Sequence, residues 1–424
     1  MHIKEKNNRS AMIIMAILFF VFGFVTWLNG PLITYVKLAF GLDTDSKAFM
    51  VTTAFYMAYF FLALPSSWVL EKTGMKKGMG MALIVMAVGT FLFGHFATKR
   101  NYSMSLLGLF VIGSGLSLLQ TASNPYISII GPIESAAKRI SIVGICNKIA
   151  GIISPIVLSA FVLKGINELE GRVNAAADQS AKDSILTEFA SKIYTPYIIM
   201  AVVLVLLGIW ILKSVLPEIK ASEANVQAPG NSSDKTKTSI FHFPHLWLGA
   251  VCIFFYVGVE VMAGDAIGTY GKGFHIPTDE TKYFTSYTLA AMLLGYIIGL
   301  IAIPKYISQQ AALKYSAVLG ILFTGAAFLT KGYLSVGLVA ALGLANALMW
   351  PAIFPLAISG LGKFTEKGSA ILIMGIAGGA LIPKAFAAFK DEYGFQLTFF
   401  VLMIPCYLYI LYYSLKGYKA GQNK

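Results

Sequence analysis

The chain has 424 residues, of which 57% are apolar and only 12% charged. A soluble domain carries about a quarter charged residues, so this composition cannot clothe a water-facing surface. The net charge of +13 reads as cytoplasmic Lys and Arg under the positive-inside rule; no basic stripe is interleaved with a soluble fold, which argues against nucleic-acid binding.

Apolar runs of about 20 residues recur from end to end, each long enough to cross ~30 Å of hydrocarbon as a helix. Barrel strands show a weaker alternating pattern instead. With a mean hydropathy of +0.72, the class is an all-α membrane protein embedded in a lipid bilayer. Twelve transmembrane helices are predicted near 11–38, 48–70, 78–97, 103–130, 140–163, 194–217, 243–271, 283–303, 311–330, 334–360, 368–389 and 393–415. The N-terminal stretch MHIKEKNNRSAM leads straight into a long apolar segment without a small-residue cleavage site, which predicts an uncleaved first helix. The polar, Ser- and Lys-rich segment 218–240 reads as a flexible cytoplasmic linker between a bundle at 1–217 and a second at 241–424. With the tails and even-numbered loops on one side, that side holds 19 Lys/Arg against 12 on the other. The excess places both termini in the cytoplasm.

The two halves repeat. At an offset of 235 residues, 19–37 (FFVFGFVTWLNGPLITYVK) aligns with 254–272 (FFYVGVEVMAGDAIGTYGK), matching Phe19, Phe20, Gly23, Thr34, Tyr35 and Lys37. Pro125 of the fourth span and Pro355 of the tenth share one offset, and the fifth and eleventh spans share Ile-Ala-Gly followed by Pro155 and Pro383. Repeats of this kind build secondary transporters, with a site near the midplane between the halves. Cys146, Cys252 and Cys406 all lie in apolar segments, so no disulfide framework or zinc spacing exists. No nucleophile motif, phosphate-binding loop or His/Asp cluster appears, so neither an enzyme nor a cofactor is expected.

Twelve spans, a central linker and the basic loop SWVLEKTGMKKG (67–78) resemble the major facilitator superfamily. Within it, FFVFGFVTWLNGPLI (19–33), LLQTASNPYISIIGP (118–132), RISIVGICNKIAG (139–151) and FYVGVEVMAGDAIG (255–268) resemble the fucose:proton symporter family, in its glucose/galactose and N-acetylglucosamine permease branch. The resemblance implies the major facilitator fold, two pseudo-symmetric six-helix bundles, in the inner membrane of a bacterium. Fucose permeases carry an acid in the first span where this chain has Gly30, and another in the fourth where it has Gln120.

Charges inside spans mark candidate ion paths, because each costs at least ~2.5–3.5 kcal/mol at the bilayer centre. Four lie well inside: Lys148, Glu260, Asp265 and Lys384. Glu260 reads as a proton-binding carboxyl or as one half of a salt bridge joining the halves. Asp265 occupies the repeat position of Gly30, which suggests that coupling moved across the pseudo-two-fold; the alternative is a carboxylate near the outer helix end. The two acids share no face unless the helix breaks at Gly264. Lys148 needs an anionic partner, which Glu260 or Asp265 could be, or a water-filled cavity, with a gate residue on the cytoplasmic side as the alternative, whereas Lys384 lies close enough to its helix end to snorkel. Amides offer donors and acceptors to sugar hydroxyls, and aromatic rings cover the C–H face. Trp27, Asn29, Gln120, Asn124, Asn147, Asn346 and Trp350 are the expected substrate contacts, with Tyr256 and Tyr287 as additions; interhelical hydrogen bonding is the alternative for any single amide.

The expectation is a monomeric symporter that imports a neutral monosaccharide, a hexose or N-acetylglucosamine, with a proton or sodium as coupling ion. An uncoupled sugar carrier, a metabolite or drug exporter and a sugar sensor of the same fold are the alternatives.

Overall fold

The computed structural model describes residues 2–130, 136–218, 239–303 and 305–421, and the side chains of all of these except 2–9, 128, 129, 136–138 and 363. Most of the expected linker, with Lys235 and Lys237, lies outside the described residues, as do the side chains of Lys4, Lys6, Arg9, Lys138 and Lys363.

Among the described residues, twelve helical segments are long and apolar enough to cross a membrane: Ser10–Ala39, Asp45–Thr73, Met75–Thr98, Tyr102–Ile127, Arg139–Phe161, Gln179–Lys213, Pro244–Gly264, Thr278–Ala302, Gln309–Leu329, Gly332–Ile358, Thr365–Tyr393 and Phe395–Leu415. All twelve predicted spans are therefore present. Ahead of residue 194, where the sequence predicts the sixth span to begin, two further helices form, Ile166–Asn174 and Gln179–Ser191, and the second leads into that span. Asp178 starts the second by accepting from the Ala181 amide at 2.7 Å, which satisfies one of the free N–H groups of the first turn.

The repeat seen in the sequence is also a repeat of packing. The first span packs along the fifth, and the seventh along the eleventh. Gly23 touches the fifth span so closely that a Cβ there would lie 2.2 Å from the Asn147 carbonyl oxygen. In the other half, a Cβ on Gly378 would lie 1.8 Å from the Phe254 carbonyl oxygen. Backbones this close need glycine, as is usual where membrane helices cross.

The first, seventh, tenth and eleventh spans, all of which reach the centre, are interrupted, the eleventh by a 3-10 turn at Gly375–Ala377, and at the seventh and tenth neighbouring side chains take up backbone carbonyls, as a membrane interior requires. The first span breaks at Trp27 and Leu28 and restarts as Asn29–Ala39. The seventh ends at Gly264, and the Asp265 and Ala266 amides both return to the Val261 carbonyl, at 2.7 and 3.2 Å. Two threonines of the eighth span take the carbonyls next to this break: Thr288 Oγ1 donates to Ala263 O at 2.7 Å and Thr285 Oγ1 to Gly264 O at 2.9 Å. The tenth span breaks before Met349. Pro355 has no N–H to give to Pro351 O, and Gln309 Nε2 donates there instead at 2.8 Å.

Polar contacts join the halves on the side of the odd-numbered loops. Asp45 bridges Lys37 of the first span and Lys390 of the eleventh. Lys384 donates to the Ser46 carbonyl, so its side chain reaches the opposite half rather than free solvent. Lys282 donates to the Leu163 carbonyl at 3.3 Å. The basic loop after the second span is tied to the first residue of the expected linker: Gly74 turns the chain at φ +80°, a backbone shape that favours glycine, and the Lys76 amide donates to Glu218 Oε1 at 3.0 Å.

Candidate functional site

A cavity of about 80 Å³ lies between the halves. Its wall takes residues from the first, second, fourth and fifth spans and from the seventh, eighth, tenth and eleventh. None of the described lining residues comes from the third, sixth, ninth or twelfth span. The two halves therefore contribute by the same rule, as their repeat demands.

One buried ion pair crosses the cavity. Lys148 Nζ lies 2.9 Å from Glu260 Oε1, with the two side chains 6% and 11% exposed. Lys148 also sits over the Trp27 ring at 4.5 Å and near the Tyr296 ring at 6.0 Å. Ring faces attract cations most strongly where water is excluded. Glu260, not Asp265, is thus the partner of Lys148.

The neutral polar groups surround this pair. Trp27 Nε1 donates to Asn147 Oδ1 at 3.4 Å, and Asn147 Nδ2 donates to the Phe19 carbonyl at 3.3 Å. Gln120 Nε2 donates to the Tyr59 hydroxyl at 3.0 Å. Trp350 lies opposite on the C-terminal half, with its ring 5.6 Å from Phe354 in a stack and 6.3 Å from Tyr256. Of the seven expected substrate contacts, Trp27, Gln120, Asn124, Asn147 and Trp350 line the cavity. Asn29 and Asn346 are buried outside its wall. Asn346 accepts from the Tyr407 hydroxyl at 2.9 Å, so it fastens the tenth span to the twelfth. Tyr256 lines the cavity, but Tyr287 is 57% exposed and faces outward.

Asp265 stands apart from the cavity. It is only 2% exposed and is not among the residues of the cavity wall. Its carboxylate lies against the first span: Oδ1 is 3.3 Å from the point that a Cβ on Gly30 would occupy. The two residues that correspond in the repeat therefore meet in space, on the pseudo-two-fold itself. A side chain on Gly30 would also strike Thr285 Oγ1, 2.3 Å from the same point.

The sequence did not offer Tyr56, Tyr59, Tyr296, Phe22 or Thr26 as site residues, and it marked Phe19 only as a repeat position, yet all six line the cavity. With 21 tyrosines and 30 phenylalanines in the chain, an aromatic residue within a span carries no signal of its own. The spacing of Tyr56 and Tyr59, which puts both on one helix face, becomes informative only once that face is known to look inward.

Comparison with known proteins agrees with this architecture. Residues 15–383 match the Major Facilitator Superfamily. A glucose/galactose transporter of Brucella abortus is 32% identical over 98% of this chain and 96% of its own length. An L-fucose-proton symporter of Escherichia coli is 26% identical over 96% of this chain and 94% of its own. The crystal structure of the superfamily transporter FucP in the outward conformation superposes with a TM-score of 0.76 at 21% identity, covering 96% of this chain and 98% of that one. The relatives are those that the four sequence motifs resemble, and they are transporters rather than enzymes. This chain is a multi-pass membrane protein with twelve spans, and it belongs to the Major Facilitator Superfamily.

Proposed function

We propose that this protein imports a neutral monosaccharide, a hexose or N-acetylglucosamine, by symport with a proton. One observation carries the reading: a cavity between the halves combines amides with indole rings from both sides. Gln120, Asn124 and Asn147 supply donors and acceptors, while Trp27 and Trp350 offer flat apolar faces. A sugar needs both, because its hydroxyls and its C–H face point in different directions. The ion pair of Lys148 and Glu260 leaves the wall with no net charge, which suits a neutral ligand. The relatives named for glucose, galactose and fucose support the same substrate class.

In this reading residues 1–217 and 241–424 rock about the cavity, with both termini in the cytoplasm. Asp265 is the coupling carboxyl, placed where the halves must part. Glu260 and Lys148 form the second ionisable element, exchanging their mutual contact for contacts with sugar as the cycle proceeds. A proton suits Asp265 because its carboxylate is buried with no hydrogen-bond partner among the described residues, and an unpaired buried charge is costly.

Uptake of labelled hexoses and N-acetylglucosamine into cells lacking their own permeases tests the substrate class, with unlabelled sugars as competitors. The expected result is saturable uptake that at least one neutral monosaccharide abolishes. Uptake indifferent to every monosaccharide overturns the reading.

A further inference from the structure

Tyr59 of the second span and Gln120 of the fourth both line the cavity, and Gln120 Nε2 donates to the Tyr59 hydroxyl oxygen at 3.0 Å. Both side chains are buried. The Tyr59 ring lies nearly parallel to that of Tyr56, with 6.3 Å between centroids, and meets the Phe55 ring at the same distance. The two spans cross so closely that a Cβ on Gly113 would lie 2.1 Å from the Phe55 carbonyl oxygen. The pair is thus held rigidly within one half, and it moves with that half.

The bond between them uses one function of each group and leaves the other. A phenol oxygen that accepts still has its proton to give, and an amide whose N–H is engaged still has its carbonyl oxygen. Among the described residues, the Tyr59 hydroxyl and Gln120 make no other hydrogen bond, and Gln120 Oε1 is not sealed in protein. The wall therefore presents a donor and an acceptor joined by a single hydrogen bond. Two hydroxyls on neighbouring ring carbons match it: one accepts from the phenol, and the next donates to the amide oxygen. A lone hydroxyl satisfies only one of the two groups.

We infer that Tyr59 and Gln120 together read two adjacent hydroxyls of the sugar, Tyr59 as donor to one and Gln120 Oε1 as acceptor from the next. Tyr59 is then a specificity-determining residue, and through its bond to Nε2 it also fixes which way the Gln120 amide faces. The inference rests on the sugar reading above.

The test is competition against labelled uptake by the full chain, with the best-transported hexose and its monodeoxy and monofluoro analogues as competitors. Fluorine accepts a hydrogen bond weakly and donates none. At one ring position the deoxy sugar competes about tenfold less well than the parent, and the fluoro sugar recovers part of that loss. At the adjacent position both analogues lose about tenfold alike, the scale of one neutral hydrogen bond. In Tyr59→Phe, which keeps the ring, the parent, deoxy and fluoro sugars compete alike at the first position, while discrimination at positions away from the pair is kept. A wild type without two such adjacent positions overturns the inference, whether or not the variant folds. So does a Tyr59→Phe protein that weakens every sugar by one common factor, as a purely structural bond between the spans would, or that keeps full discrimination everywhere. Failure of every monosaccharide to compete with the wild type overturns the sugar reading itself, and this inference with it.

Discussion

Glu260→Gln removes one charge from the cavity and nothing else of its shape. The pair it breaks is 2.9 Å long, and its side chains are 6% and 11% exposed, so water screens it little. Removing one member of a buried pair costs about 3–5 kcal/mol, mostly because the other charge remains buried without compensation. The Trp27 ring beneath Lys148, 4.5 Å from the ammonium, is already in contact in the unmodified protein and so supplies nothing new to offset this cost. The Gln amide oxygen still accepts a hydrogen bond, which sets the expected loss at the lower end, about 3 kcal/mol, more than a hundredfold in an equilibrium. Lys148→Gln combined with Glu260→Gln removes both charges and restores most of that loss, so the pair is strongly non-additive. Thermal unfolding in detergent, followed by intrinsic fluorescence, reads both variants against the wild type. A Glu260→Gln protein as stable as the wild type, or a double variant that loses the sum of the single losses, refutes the reasoning.

Three further outcomes follow from the same geometry. Asp265→Asn abolishes accumulation of sugar against its gradient but leaves counterflow measurable, as parallel assays in proteoliposomes read out; full accumulation at an imposed proton gradient removes Asp265 from coupling. Trp27→Ala takes away both a sugar-facing indole and the ring under Lys148, so the KM for uptake rises by about tenfold, equivalent to ~1.4 kcal/mol, and an unchanged KM assigns the sugar to other residues. Gly378→Ala forces a methyl to within 1.8 Å of the Phe254 carbonyl, which costs about 1–3 kcal/mol of overpacking strain and lowers the unfolding temperature, as does Gly23→Ala at the matching crossing; a neutral effect at both positions means the crossings are looser than described.

The twelve spans were legible because a bilayer leaves so few choices: each helix must be apolar for about 20 residues and must satisfy its own backbone. The repeat was legible for a similar reason, since Gly23 and Gly258 keep glycine where helices pack closely. The breaks were harder to see. The sequence raised a break at Gly264 only as a condition, and the hydroxyls of Thr285 and Thr288 that take the carbonyls beside it come from another span, which no local pattern reveals. The same limit explains the site. The charges Lys148 and Glu260 stood out because charge within a span is costly, and the structure pairs them. Asn346 had the same signal as Asn147, yet it serves Tyr407 while Asn147 meets the cavity. Which way an amide points is decided by helix rotation, and helix rotation is set by neighbours. Asp265 shows the reverse case. Its correspondence with Gly30 was plain in the sequence, but their contact across the interface emerged only from the fold.

The central claim is that a sugar and a proton move together through the cavity between the halves. Purified protein in proteoliposomes, given labelled monosaccharides under separately imposed proton and sodium gradients, tests it most directly. The account predicts accumulation of a neutral hexose or N-acetylglucosamine above equilibrium when the proton gradient points inward, collapse of that accumulation with a protonophore, and no dependence on sodium. Accumulation that follows the sodium gradient alone, or equilibration that no gradient drives uphill, contradicts it.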